Sequence, residues 1–510
     1  MKQFKFSKLS LLVSAATLAL AGCGGGNDGA IDYSASMKAD ATGTPYTLVT
    51  GQVGTLTPAG GTDTWSTPAA KALGITLIAQ LDSSGPDAWD ASTHPLVYVS
   101  SQGPTYGSKN PAPGVVLIDA NTRQPIASGY YKFAGVVDGS YAENHGLAVS
   151  PDGKWIYTQS NAPASLAPNT GGTVVLVINA RTLKIDKILQ TRMHHGKTIY
   201  DANTKKGLVL LDGSTLNVYT LDPSDDNRVA GGLDPANFAA VAYAAFGDPS
   251  GKYMLVTTSL GFNGGFGGVS VVSLADYKVK ARIGTNSQIP TLMTFSGDGK
   301  TAYVTGRGGA DPLTRIDISS ALVSDWKVTG FANAAVGYAY GATMSWDDKR
   351  IFITEKGNPG GNLIGDSVGI VNAAGFVDPL KYGGSGGAQG VLYLGGCQQP
   401  DHAIVHPDPA KNEMWVSCNS SFDNAVVGMG DSANVNQNTP DFGMGGTSVK
   451  ARIARPDAIN AGGSHNGAIV KYSVSGTTWT GEVQSDINGF HGAALQTKAD
   501  VLAGKIAIGK

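Results

Sequence analysis

HGLAVSPDGKWIYTQS, residues 145–160, followed by TVVLVINARTLKIDKILQ, residues 173–190, carries more architectural information than any other stretch of the chain. The first half reads as a strand, a tight turn at Pro151-Asp152-Gly153 and a second strand. The second half reads as a third strand, a turn at Arg181-Thr182 and a fourth. Val, Ile, Tyr and Leu fit a pleated, half-buried surface, whereas Asp and Gly tolerate the backbone of tight turns.

The same unit recurs. YAAFGDPSGKYMLVTTS (243–259) leads to GVSVVSLADYKVKARI (268–283), TLMTFSGDGKTAYVTG (291–306) to LTRIDISS (313–320), and YGATMSWDDKRIFITE (340–355) to DSVGIVNAAG (366–375). DHAIVHPDPAKNEMWVSC (401–418) is completed much later by GAIVKYSVSGTTWTGEVQ (467–484), and HGKTIYDANTKKGLVLLD (195–212) by LNVYTLD (216–222). Two fragments remain. LVYVSS (96–101) with GVVLIDANTRQPIASGYY (114–131) lacks a first strand, and HGAALQ (491–496) is a first strand lacking successors.

Joined, the fragments make one more unit and close a ring. The expectation is an all-β, seven-bladed β-propeller, closed by a C-terminal first strand pairing with N-terminal strands. An eight-bladed count stays open if residues 47–81 contribute strands. The SPDGK-type turns resemble those of YVTN-like propellers, a group that includes nitrous-oxide-reductase-like domains. The resemblance runs from about residue 75 to the end and implies fold more than activity.

Composition agrees. The 510 residues include 70 glycines and 24 prolines, and only 15% are charged. A long-helix protein is excluded, and with 42% hydrophobic residues so is a charge-rich disordered chain. The formal charge is −2 with no block of like charge, which argues against a nucleic-acid partner.

Residues 1–22 read as a lipoprotein signal peptide: Lys2, Lys5 and Lys8, then an apolar run from Leu9 to Leu20, then Leu20-Ala21-Gly22-Cys23. Cys23 is the expected lipidation site, residues 23–45 a flexible tether, and residues 46–510 the propeller, with a long insertion at 422–466. The expected location is the bacterial cell envelope, at the outer membrane, held by the N-terminal lipid alone. In that oxidising compartment Cys397 and Cys418 read as a disulfide, with a thiolate metal site as the other reading.

The eight histidines are unevenly placed. His145 lies six residues before Pro151, His195 six before Asp201 and His491 six before Thr497, all at the start of a first strand. The equivalent positions elsewhere are Tyr243, Thr291, Tyr340 and Asp401, with His402 beside the last. First strands line a propeller's central channel, so these residues should converge at one mouth. His465, at the end of the insertion, should share that face. His145, His195, His402, His465 and His491 are therefore candidate metal ligands, copper being the expected metal. Lys197 should point into the channel, and Glu355 is a candidate ligand or proton acceptor. A structural role for these histidines, bonding backbone or turn carboxylates, is the competing reading.

Three functions follow. The first is a metal-dependent oxidoreductase acting on a small substrate, with a periplasmic electron carrier as partner. In architecture and histidine placement it resembles the copper propellers of nitrous-oxide reductase and thiocyanate dehydrogenase, without the cupredoxin domain of the former. The second is a non-enzymatic envelope scaffold that uses the insertion as its contact loop. The third is a lactonase- or lyase-like propeller using a channel histidine and Glu355 as acid and base.

Overall fold

A computed structural model of the chain describes residues 48–50, 65–85, 96–101, 114–119, 125–131, 133, 146–212, 218–234, 241–259, 266–307, 312–334, 336, 338–358, 363–364, 367–376, 388–393, 397–405, 413–421, 466–475, 478–488 and 493–494. Six of the repeats fold into four-stranded antiparallel meanders, spanning 147–190, 195–232, 241–284, 289–333, 339–393 and 397–488. In a further sheet Ala493–Ala494 pairs with Leu96–Ser101, Tyr98 facing Ala494, and Gly114–Asp119 and Pro125–Tyr130 follow. The two ends of the chain thus share one sheet. The first strands of successive sheets lie beside one another. The fold is a β-propeller.

The described residues of the segment expected to decide between seven and eight units build no sheet of their own. Leu48–Thr50 adds parallel to Pro125–Tyr130, and Thr76–Gln80 adds antiparallel to Ile185–Gln190, each as an outer fifth strand. Between them the short helix Pro68–Ala72 is capped by Thr67, whose hydroxyl accepts the Ala70 amide and donates to Val229 O of the next sheet. Trp65 donates to Asp226 O there as well. Residues 65–85 therefore strap two neighbouring sheets together and cover edges that would otherwise be open.

The repeated turn has a specific chemistry. In SPDGK the Ser150 hydroxyl donates to Asp152, which also accepts the Lys154 amide. Ser296 with Asp298, and Ser345 with Asp347, repeat the pattern. The residue after the acid is left-handed: Gly153 at φ 70°, Gly299 at 70° and Asp348 at 57°. Gly251 plays this part in the DPSG copy at φ 72°, and a Cβ there would also meet Tyr200 O at 2.8 Å. Gly251→Ala is expected to cost about 1–3 kcal/mol, read as a lower urea midpoint. An unshifted midpoint would refute this account of the turn.

Packing between sheets uses apolar faces, as in the cluster of Phe246, Leu255, Val271, Leu292, Phe295 and Val304. Nearer the axis the contacts turn polar. Thr257 donates to Ala244 O of its own first strand and to Thr291 O of the next. Thr305 likewise donates to Leu292 O and to Tyr340 O. These second-strand hydroxyls fasten adjacent first strands and set their lateral spacing.

Candidate functional site

The first strands bring four ring-bearing side chains together. His195 opens the strand His195–Asp201, Tyr243 lies in Val241–Gly247, Tyr340 in Ala339–Met344 and His402 in Cys397–Val405. His195 is 5.9 Å from Tyr243 and 5.8 Å from His402 between ring centroids, and Tyr340 is 6.1 and 6.0 Å from the same two rings. These are the aligned first-strand positions, His402 being one residue past its own. Thr291, the small member of the set, donates to Tyr340 O at 3.0 Å and packs rather than lines.

His195 is fixed on both sides. The antiparallel register sets it opposite Asp212, whose Oδ1 lies 3.0 Å from its Nδ1 and accepts its backbone amide at 3.1 Å. The other carboxylate oxygen accepts the Ala245 amide at 3.0 Å. On the far side Nε2 is 3.1 Å from the Tyr340 hydroxyl. Burial, reinforced by His194, Lys197 and Lys356, holds the imidazole well below its ordinary pKa, so it is neutral at pH 7. Burial pushes the Asp212 carboxyl up to about 6, opposed by His194, by two backbone amides and by Lys197. A neutral ring beside a carboxylate carries its proton on Nδ1. The Nε2 lone pair then accepts the Tyr340 hydroxyl proton.

His194 completes the group. Its ring centroid is 4.0 Å from that of His195, and its amide donates to Asp212 O. Among the described residues, His194, His195 and Asp212 form one group whose potential ligand atoms all lie within 4.8 Å of one another. Asp212 Oδ1 accepts two N–H donors from His195 and Oδ2 one from Ala245, so the carboxylate orients His195 while Oδ2 keeps a lone pair.

Cationic side chains surround these rings. Lys356 Nζ lies 4.3 Å and Arg307 Cζ 4.7 Å from the Tyr340 ring centroid, while Lys197 Nζ lies 5.2 Å from that of Phe246. Lys197 shares a strand face with His195 and its charge reaches that imidazole. Glu355, fully buried, ends its strand opposite Ala339 and accepts the Ser367 hydroxyl.

Of the residues singled out from sequence, His195, His402, Lys197 and Glu355 are thus placed. His145, His465, His491 and Cys23 lie outside the described residues, as do the signal segment, the tether and the insertion up to residue 465. Cys397 and Cys418 lie on paired strands, Cys397 facing Ser421 and Cys418 facing Pro400. His194, Arg307, Lys356 and Tyr340 were not selected from sequence as site residues. Arg307 and Lys356 were legible in principle, because second-strand ends reach the same face as first-strand starts.

No family model matches the chain, and no curated protein matches it. Among solved structures it is similar to the periplasmic gluconolactonase PpgL of Pseudomonas aeruginosa, at 14% identity and TM-score 0.47 over 78% of this chain and 97% of that one. It is also similar to Kuenenia stuttgartiensis hydrazine synthase, at 13% identity and TM-score 0.45 over 66% and 95%. The dihydro-heme d1 dehydrogenase NirN matches at 14% identity and TM-score 0.42 over 84% and 80%. Likenesses this distant bring no activity to the present chain.

Proposed function

We propose that this chain is an envelope-tethered, YVTN-like propeller enzyme. Its histidine cluster holds a transition metal, copper before zinc, for redox chemistry on a small substrate. The observation carrying this reading is the state of His195. It is neutral and buried, it is oriented through Nδ1 by a carboxylate, and its Nε2 faces a ring of imidazole and phenol groups. A carboxylate bonded to the remote nitrogen is the usual support of a metal-binding histidine. His194, His195 and His402 would hold the metal. Imidazole donors suit copper and zinc, whereas a hard cation prefers oxygen ligands.

Bound copper would supply a one-electron acceptor. The chain's own residues set the conditions around it. Asp212 fixes the tautomer, burial together with Lys197 and Lys356 keeps the imidazole unprotonated, and the Nε2 lone pair that here accepts the Tyr340 hydroxyl would be given up to the metal. His145, His465 and His491 remain proposed as further ligands on the same face. Electrons would leave to a periplasmic carrier, with Cys23 lipidated at the outer membrane.

The test is elemental analysis of the full-length protein produced in the periplasm with copper supplied. At least one copper per chain is expected. A folded protein without transition metal overturns the reading and turns attention to the scaffold function.

A second reading rests on one contact, the Tyr340 hydroxyl on His195 Nε2. Asp212, His195 and Tyr340 form an acid–base chain that could act on a cyclic ester without metal. In it Tyr340 takes the place expected for Glu355. Activity surviving in chelator-treated, metal-free protein would select it; activity lost and restored by copper selects the first.

A further inference from the structure

We propose that Tyr340 is a further ligand of the metal at His195, binding through its oxygen as a phenolate. The inference rests on the copper reading above and deepens it, adding an oxygen donor to the imidazoles.

His195 Nε2 and the Tyr340 hydroxyl lie 3.1 Å apart. Two donors on one copper or zinc, each about 2.0–2.1 Å from it and roughly 90–110° apart, are themselves about 2.8–3.4 Å apart. A metal that takes the Nε2 lone pair therefore finds the phenol oxygen within reach, and the phenolic proton is what it displaces. His402 lies beside both groups, its ring centroid 5.8 Å from that of His195 and 6.0 Å from that of Tyr340.

The spacing of the pair does not depend on the shared proton. His195 is held by Asp212 and by its strand pairing. Tyr340 is held separately, through its backbone and its packing. Its carbonyl accepts the hydroxyls of Thr291 and Thr305 from the neighbouring sheet, and the next amide, that of Gly341, donates to Thr354. The residue is fully buried, with the Tyr243 ring at 6.1 Å. Two donors locked by independent supports form a preorganised pair, which is what a metal site requires.

Ligation replaces the O–H bond by an oxygen–metal bond; the proton leaves to solvent and no electron is transferred. The oxygen is then anionic. Coulomb attraction to Lys356 Nζ and Arg307 Cζ, 4.3 and 4.7 Å from the ring centroid, adds to the binding, and it needs only their charge, whatever else each contacts. An anionic oxygen is a harder donor than imidazole and favours the cupric over the cuprous ion.

The experiment is Cu(II) titration of the full-length, chelator-stripped protein and of Tyr340→Phe, followed by visible absorption and resonance Raman spectroscopy. A phenolate on Cu(II) gives an intense visible charge-transfer band, which imidazole and carboxylate donors alone do not. Wild type is expected to show the band, with tyrosine ring modes enhanced in the Raman spectrum. Tyr340→Phe should lose it and bind Cu(II) more weakly, by at least the ~10-fold that loss of an orienting partner costs. If Tyr340 only occupies Nε2, its removal frees the lone pair and copper binds more tightly. Unchanged or tighter binding, or a band retained in Tyr340→Phe, overturns the proposal. Should that variant not fold, wild type and Tyr243→Phe decide: both must show the band, with Raman modes that shift on ring-deuterated tyrosine. A band absent from wild type or lost with Tyr243 is then the overturning result. Stoichiometric copper without the band defeats this inference and leaves the copper reading standing, whereas a folded protein that takes up no copper defeats both.

Discussion

His195→Ala is expected to abolish metal binding, taking copper from at least one per chain to none detectable by elemental analysis. The fold should survive, because the strand His195–Asp201 keeps its backbone pairing with Lys206–Asp212. Asp212→Asn should behave differently. Its carboxylate bonds Nδ1 and two backbone amides, so an amide of the same shape keeps part of the scaffold but removes the charge that selects the tautomer. Loss of such an orienting partner typically weakens metal affinity by about 10–100-fold. Copper titration of the two variants is therefore expected to show absence in one and weakening in the other. If His195→Ala retains stoichiometric copper, the metal lies elsewhere. If Asp212→Asn binds as wild type does, Asp212 is not the orienting group.

The pH dependence has a definite sign. The Asp212 carboxyl titrates near 6 in the folded protein, above its unfolded value of 3.8. Its ionisation therefore opposes folding: the contribution to stability is full below 3.8 and is lost as the pH rises through 6. His195, lowered by burial, favours folding above 6.5, and that contribution is lost as the pH falls toward its depressed folded value. The two trends oppose each other, so stability near neutrality should vary little. The hold of Asp212 on Nδ1 depends on the ionised carboxylate, so copper affinity should fall below pH 6.

The sequence made the turns legible because the chain writes them several times. Ser150-Pro151-Asp152-Gly153 and Ser296-Gly297-Asp298-Gly299 share hydroxyl, acid and left-handed residue at matching positions. Aligning on them also put His195, Tyr243 and Tyr340 at one level, which is where they meet. What escaped notice follows from how strands present side chains. His194 precedes the strand, so the alternation of faces that places His195 and Lys197 does not govern it. Lys356 stands next to Glu355, but the acid alone looked like chemistry, and the burial that makes a lysine unusual is invisible in one dimension. The threonines at 257, 305 and 354 recur at the same offset in three copies, six residues after the left-handed turn residue, and read as ordinary strand formers. Only the packed first strands show that Thr257 and Thr305 bridge neighbours.

Gly146→Ala is the second substitution with a large expected effect, and it tests why histidine is followed by glycine at these strand starts. A Cβ on Gly146 would fall 2.3 Å from His194 O and 2.6 Å from His195 Cα, both backbone atoms of the adjacent first strand. Gly196, in the next copy, would meet Ala148 Cβ and Met193 Cε, both at 2.7 Å. The side-chain atoms can give a little; the backbone at His194–His195 cannot, because it is paired with Asp212 on its other side. Overpacking of this kind costs about 1–3 kcal/mol, with the upper end expected for Gly146 and the lower for Gly196→Ala. The relief available to Gly146→Ala is a shift of the His194–His195 backbone, which would disturb the placement of both imidazoles against Tyr340 and His402. Lower thermal stability and weaker copper binding should therefore appear together in Gly146→Ala. Gly251→Ala, strained in a turn at the other end of its first strand, should lose stability alone. A Gly146→Ala protein that melts and binds metal as wild type does would show that the close approach of the strands does not position the site.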